Sequence, residues 1–314
     1  MSAIDIHHHA MVAGYVERLT AIGVSAQPGV AFPEWSVGDS LALMDRLDIE
    51  MAVLSVGSPG FYFGDQAFTD ELCRDTNDEL AVLVRQRPDR FAAFAVLPLP
   101  SVDSTLEELD RIESRQEFVG IGMLTNYGEQ YLGAEQFDPV LARLNAMQAV
   151  VHVHPTLPVT WPKQQIDLRP SLLEYVFDTT RALTNLMLRG VPHRFPRIQW
   201  IFSHCGGVAP FIAGRLAIAE PLPELAQVRA DGVLATMAGF HYDTALSTTP
   251  MGLGSLLGLV GRSQIVLGSD FPFVDEQTVT RCRRELDDLL PDLDPVLTEN
   301  ARRLLPRLWS GTKS

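Results

Sequence analysis

Short apolar runs rich in β-branched residues recur along this chain, and between them apolar residues return every three or four positions. The short runs predict eight strands, at residues 3–6, 51–55, 91–97, 119–124, 149–154, 198–203, 241–244 and 264–268. The longer stretches predict helices at 36–47, 65–87, 104–113, 137–147, 171–189, 210–218, 253–260, 276–289 and 295–308. Strands that alternate with helices pair in parallel, with the helices packed outside. The expected fold is therefore a (β/α)8 TIM barrel spanning residues 1–314 as one domain. Two long connections, 10–35 and 156–170, are rich in Gly, Ala or Pro and are expected to form small excursions over the barrel mouth.

The strand ends carry the chemistry. Asp5-Ile6-His7-His8-His9 opens the chain, and side chains in a strand repeat every two residues. His7 and His9 should therefore face one side and His8 the other. Further apolar runs end on His154, His204 and Asp270. In a parallel barrel such ends meet at one mouth, where active sites lie. One His or Asp at a strand end is usually just a hydrogen-bonded structural group; the joint pattern is what predicts a site. Three imidazoles and a carboxylate form a nitrogen-rich set that suits one zinc ion and leaves a position open for water or substrate. The chain has two lysines, Lys163 and Lys313, and neither falls at a strand end, so a lysine carbamate bridging two metals is not expected.

Other residues are placed by the same reasoning. His204 precedes Cys205-Gly206-Gly207 and reads as a fourth nitrogen ligand or as an acid/base beside the metal; the second is preferred, because four ligands and a water fill a normal shell. Asp5, one strand repeat below His7, is a candidate to orient a ligand histidine. His152 is expected to point away from the pocket, His193 to lie at the surface, and His8 and His241 to be structural.

Composition narrows the partners. Of 314 residues 46% are hydrophobic, enough for a substantial core, and the net charge of −14 without a basic block disfavours nucleic acid and anionic membranes. Cys73, Cys205 and Cys282 show no pairing pattern. With no apolar run of membrane-spanning length, the expectation is a soluble cytoplasmic protein, with a homodimer as the expected assembly.

Read in order, Asp5-Ile6-His7-His8-His9, Asn77-Asp78-Glu79-Leu80, Arg87-Pro88-Asp89-Arg90-Phe91, His154-Pro155, Ser203-His204-Cys205-Gly206-Gly207, Tyr242-Asp243-Thr244-Ala245 and Gly268-Ser269-Asp270-Phe271-Pro272-Phe273 resemble the amidohydrolase superfamily. The resemblance runs nearly end to end and is to its decarboxylase branch, which holds the aminocarboxymuconate-semialdehyde and salicylate-type decarboxylases. It implies that His7, His9, His154 and Asp270 bind the metal, with His7 resembling the zinc-type variant and manganese, which some relatives prefer, as the alternative, and that His204 assists as acid/base. Leu124-Thr125-Asn126-Tyr127-Gly128 and Phe177-Asp178-Thr179-Thr180-Arg181 look most like 6-methylsalicylate decarboxylases. Ser40 stands where the muconate enzymes carry an Arg for a substrate carboxylate, which favours an aromatic monocarboxylate. The implied activity is metal-dependent, non-oxidative decarboxylation of a 2-hydroxybenzoate-type acid, with Asp270, its pKa raised, or His204 supplying the proton. For such a substrate Trp35, Trp161, Phe271 and Phe273 are candidates to flank the ring, and Arg181 and Arg215 to clamp the carboxylate. The competing reading is a hydrolase or hydratase acting on a lactone, amide or enol acid at the same site.

Overall fold

The computed structural model describes residues 2–27, 30–163, 166–228, 231–290 and 292–309. Lys313 and the rest of the C-terminal end lie outside them. Eight parallel strands run in chain order around one sheet: Ala3–His9 (β1), Ile49–Ser55 (β2), Phe91–Ala95 (β3), Phe118–Leu124 (β4), Val150–His154 (β5), Gln199–Phe202 (β6), His241–Asp243 (β7) and Ile265–Val266 (β8). The last strand returns to the first, since Ile6 N–H donates to the Leu267 carbonyl at 2.9 Å and His9 N–H to that of Phe271 at 2.7 Å. The expected (β/α)8 barrel is the observed fold.

Two apolar layers follow from strand alternation. Ile4, Ile6, Val53, Phe94, Val150 and Ile201 fill the barrel interior, and Ala301, Leu304, Leu305 and Leu308 join the same cluster. The residues facing outward pack under the helices in a second, larger cluster. Five of the helices begin where the sequence supplies a cap. Ser36, Asp65 and Asp275 each accept a backbone N–H at the start of Val37–Arg46 (α2), Gln66–Gln86 (α3) and Glu276–Leu289 (α11). The fourth helix starts before the expected residue 104, because Ser101 caps Val102–Ile112 (α4). Thr249 likewise caps Pro250–Leu257 (α10), three residues ahead of the expectation.

The remaining helices are Ala13–Ala21 (α1), Asp138–Met147 (α5), Pro170–Leu188 (α6), Val191–Arg194 (α7), Ala209–Ile218 (α8), Val233–Ala238 (α9) and Asn300–Leu304 (α12). The first crossover holds α1 and a small hairpin pairing Ala26–Gln27 with Val30–Ala31. The expected helix at 295–308 is broken instead into a wide turn over Pro295–Glu299, α12, and a tight turn over Pro306–Trp309. Pro306 has no N–H to continue a helix. No helix among the described residues is long and apolar enough to cross a membrane.

A candidate metal centre at the barrel mouth

Strand β1 delivers its histidines through an irregularity. Asp5 pairs with Ala52 but His8 pairs with Leu54, so β1 carries one extra residue there. The bulge resets the alternation: Ile4 and Ile6 face inward below it, and His7 and His9 face inward above it. Asp5 is thereby turned outward with His8. Its Oδ2 lies 3.0 Å from His8 Nδ1, and its Oδ1 accepts the backbone N–H groups of His7 and Ser269. Asp5 therefore orients His8 and not a ligand ring, contrary to the expectation that counted an unbroken strand.

His7, His9, His154 and Asp270 converge, all buried, with one ligand-type atom from each lying within 4.8 Å of the others. His7 Nε2 sits 3.0 Å from His9 Nε2 and 3.3 Å from Asp270 Oδ1, and His9 Nε2 lies 3.1 Å from the same oxygen. Their outer nitrogens are already engaged. His7 Nδ1 donates to Asp243 Oδ2 at 2.9 Å and His154 Nδ1 to the Pro155 carbonyl at 2.8 Å. Both partners can only accept, so in the neutral imidazoles it is the Nε2 lone pairs that face the cluster. That donor chemistry fits a divalent cation. Gly57 leaves room for the His9 and His154 rings: a Cβ there would come within 2.8 Å of His9 Cε1 and 2.9 Å of His154 Nδ1.

Electrostatics make the same demand. Burial opposes charge on His7, yet Asp243 and Asp270 outweigh it and push its pKa up to about 10. Burial holds His9 down to about 4 and, with its histidine neighbours, holds His154 well below the usual range. Asp270 reverses an expectation. Burial alone would raise its pKa, but hydrogen bonds from His7 and His9 hold it well below the ordinary carboxylate range, so it enters as an anion. Two buried carboxylates around His7 call for positive charge between them.

Asp243 is the residue that sequence reasoning missed. It ends β7 as the other polar residues end their strands, which was the available signal. Its Oδ2 also meets His152 Nε2 at 2.9 Å, and its Oδ1 accepts the backbone N–H groups of His204 and Ala245, each at 3.0 Å. His152 is two residues from His154 and so shares its face. It lies inside the barrel, stacked on Phe94, rather than outside as expected. His8 bonds Ser40 Oγ, as does Trp35 Nε1, so Ser40 and Trp35 meet on the outer side of β1. His193 pairs with Asp231 at 3.3 Å, and His241 is buried at the start of β7.

His204 stands beside the cluster, its ring centroid 5.1 Å from that of His7 and 5.8 Å from that of His154. Its Nδ1 donates to the Ala245 carbonyl at 3.0 Å, which leaves Nε2 free to exchange a proton. His204 and Asp270 both adopt left-handed backbone angles, with φ of 55° and 62°, a strain that tends to gather at functional sites.

Above the cluster opens a cavity of about 280 Å³ that His154, His204 and Asp270 reach. Val30, Leu172, Val176, Leu246, Phe273 and Val274 make it largely apolar, and Gln27, Arg169, Tyr175 and Ser247 add polar groups. Of the aromatic candidates, Phe273 lines this cavity and its ring packs 5.0 Å from His9. Phe271 packs on His8, and neither Trp35 nor Trp161 is part of the cavity wall. Arg181 and Arg215 are exposed on α6 and α8 away from the wall, so the carboxylate-clamp expectation is corrected. Helical periodicity turns them to solvent, and among the described residues the guanidinium that lines the cavity is that of Arg169.

Comparison with known proteins gives the same picture. Residues 4–307 match the family model described as amidohydrolase. The chain is 31% identical over 318 residues to the 6-methylsalicylic acid decarboxylase acuB of Aspergillus aculeatus, covering 97% of this chain and 96% of that protein. It is 30% identical over 325 residues to decarboxylase yanB of Aspergillus niger, covering 98% and 88%. A solved amidohydrolase structure superposes with a TM-score of 0.91 at 30% identity, covering 97% of this chain and all of that one.

Proposed function

The chain belongs to the amidohydrolase family, and on that premise we propose that it is a metal-dependent carboxy-lyase that removes CO₂, without oxidation, from a 2-hydroxybenzoate-type acid resembling 6-methylsalicylate. The observation that carries this reading is the buried cluster of three imidazoles and one carboxylate at the floor of an apolar cavity. Relatives named as decarboxylases that align along nearly the whole chain support it.

His7, His9, His154 and Asp270 would hold one divalent ion. The nitrogen-rich donor set favours zinc, with manganese as the alternative. When bound, the ion supplies Lewis-acid stabilisation of the substrate's carboxylate and phenolate oxygens. The protein's own groups do the rest. The apolar walls and Phe273 hold the ring and exclude water, and Arg169 offers a cation at the cavity. The bond between ring and carboxyl carbon breaks, CO₂ leaves, and the electron pair left on the ring carbon takes a proton. His204 Nε2 is assigned to deliver that proton, because Asp270 is held as an anion by its histidine partners.

Three free cysteines support a cytoplasmic, reducing setting. A homodimer is proposed on the apolar face of α8, where Phe211 and Ile218 are 82% and 83% exposed. The function is tested by measuring CO₂ release from a panel of hydroxybenzoates, before and after chelation, beside lactone and ester panels. Metal-dependent CO₂ release from a 2-hydroxybenzoate supports the reading; consumption of lactones or esters alone overturns it.

A further inference from the structure

Helix α6 buries a carboxylate, that of Asp178, outside the metal cluster. Its Oδ2 accepts hydrogen bonds from Thr125 Oγ1 and from Asn126 Nδ2, the latter at 3.0 Å, and its Oδ1 accepts from the Tyr131 hydroxyl at 2.6 Å. Three donors thus end on one carboxyl group, and none of them belongs to the cluster. Thr125 and Asn126 directly follow β4, next to the residues that leave β5.

Those two residues grip the segment that carries His154. Thr125 N–H donates to the His154 carbonyl at 3.1 Å. Thr156 N–H donates to Thr125 Oγ1 at 3.0 Å, and Asn126 Nδ2 reaches the Thr156 carbonyl at 3.4 Å. A hydroxyl that gives its proton to Asp178 has only lone pairs left, which fixes Thr125 as the acceptor for Thr156. The Thr156 N–H and the Pro155 carbonyl belong to one planar peptide unit. That same carbonyl receives the proton of His154 Nδ1 at 2.8 Å. The rotation of the imidazole, and the aim of its Nε2 at the cluster, are therefore referred to Asp178 through Thr125 and a single rigid plane. One turn earlier on the same helix, the Tyr175 hydroxyl donates to Ser58 Oγ at 2.7 Å, and Ser58 Oγ lies 3.4 Å from Thr156 Oγ1. The helix that walls the cavity holds the His154 segment from two sides.

We propose that Asp178 is a positioning residue for His154, acting through Thr125 and the Pro155–Thr156 peptide, and that it sets how tightly the cluster holds its divalent ion. The proposal rests on the assignment of His154 as a metal ligand. Partners that orient a ligating histidine are generally worth about 10- to 100-fold in metal affinity or activity.

The experiment measures zinc affinity by competition with a chromogenic chelator, beside the melting temperature of the metal-free protein. Thr125→Val keeps the shape of the side chain and leaves α6 untouched, so it carries the decision. It should weaken zinc binding by about 10-fold or more, as should Asp178→Asn, whereas Thr125→Ser should restore wild-type affinity. Tyr131→Phe removes a partner of Asp178 that is not in the chain to His154; it should lower the melting temperature and leave zinc affinity unchanged. A merely structural role for Asp178 would move melting temperature alone in every variant. The proposal is overturned if Thr125→Val binds zinc as tightly as the wild type while His154→Ala does not. Should His154→Ala also keep its zinc, the ligand assignment itself falls, and this inference falls with it.

Discussion

His7 Nδ1 and Asp243 Oδ2 lie 2.9 Å apart inside the barrel, and this contact decides which nitrogen of His7 faces the cluster. The same carboxylate accepts the His204 backbone N–H, so one buried anion positions both a ligand candidate and the acid/base candidate. Burial works against its charge, but His7 and His152 hold its pKa well below the ordinary range. Asp243→Asn should reverse the hydrogen-bonding preference at His7 Nδ1 and weaken metal binding by about 10- to 100-fold. Chelator competition measures this, and unchanged affinity would remove Asp243 from the account.

His204 separates ligation from proton transfer. His204→Asn should retain about one metal ion per chain by elemental analysis while losing roughly 10²- to 10⁴-fold in turnover. A variant recovered metal-free would show that His204 is a ligand.

The barrel was legible because each strand is apolar and each helix periodic, and the four-residue cluster because its members stand at the ends of β1 and β5 and just past β8. What the sequence did not show depends on local backbone irregularity and on contacts distant along the chain. The bulge between Asp5 and His8 reverses strand parity and cannot be seen in the residue types, so Asp5 was aimed at the wrong imidazole. His152 was misplaced for a simpler reason, since its two-residue spacing from His154 already put both on one face. Asp243 acts across 236 positions on His7 and 91 on His152, distances at which no local pattern operates. The raised pKa expected for Asp270 considered burial and left out the two imidazoles bonded to it.

Arg169 distinguishes the structure from the sequence reading most simply. It lines the cavity, whereas Arg181 and Arg215 are exposed away from it. Arg169→Ala should lower kcat/KM by about tenfold, chiefly through KM, in keeping with one charged hydrogen bond lost to substrate. Alanine at Arg181 or Arg215 should leave both constants near wild type. Steady-state kinetics decide, and the reverse order of effects would return the clamp to the helices.

His241 predicts a pH dependence of stability. Burial, aided by the charge of Arg303, pushes its pKa down from 6.5 to about 4, and its Nδ1 has no hydrogen-bond partner among the described residues. The folded protein therefore prefers the neutral ring. That preference contributes fully above pH 6.5 and is lost as pH falls from there through about 4, a change of about 3 kcal/mol at most. The stability difference between wild type and His241→Leu should be flat above pH 6.5 and should move in favour of the variant below it. Denaturant titrations across that range test the point, and a difference independent of pH would refute it.

Decarboxylation by this chain would replace a carboxyl group on an aromatic ring with a proton delivered inside the cavity. Turnover of 6-methylsalicylate by the zinc-loaded protein in D₂O, followed by NMR and mass spectrometry, tests it most directly. Metal-dependent CO₂ release should accompany formation of a phenol carrying one deuterium, at the carbon that bore the carboxylate; a 2-methoxy analogue, unable to offer an anionic oxygen beside the carboxylate, should react poorly. Absence of CO₂ release from every 2-hydroxybenzoate by fully metal-loaded protein, with lactones or enol acids consumed instead, would contradict it.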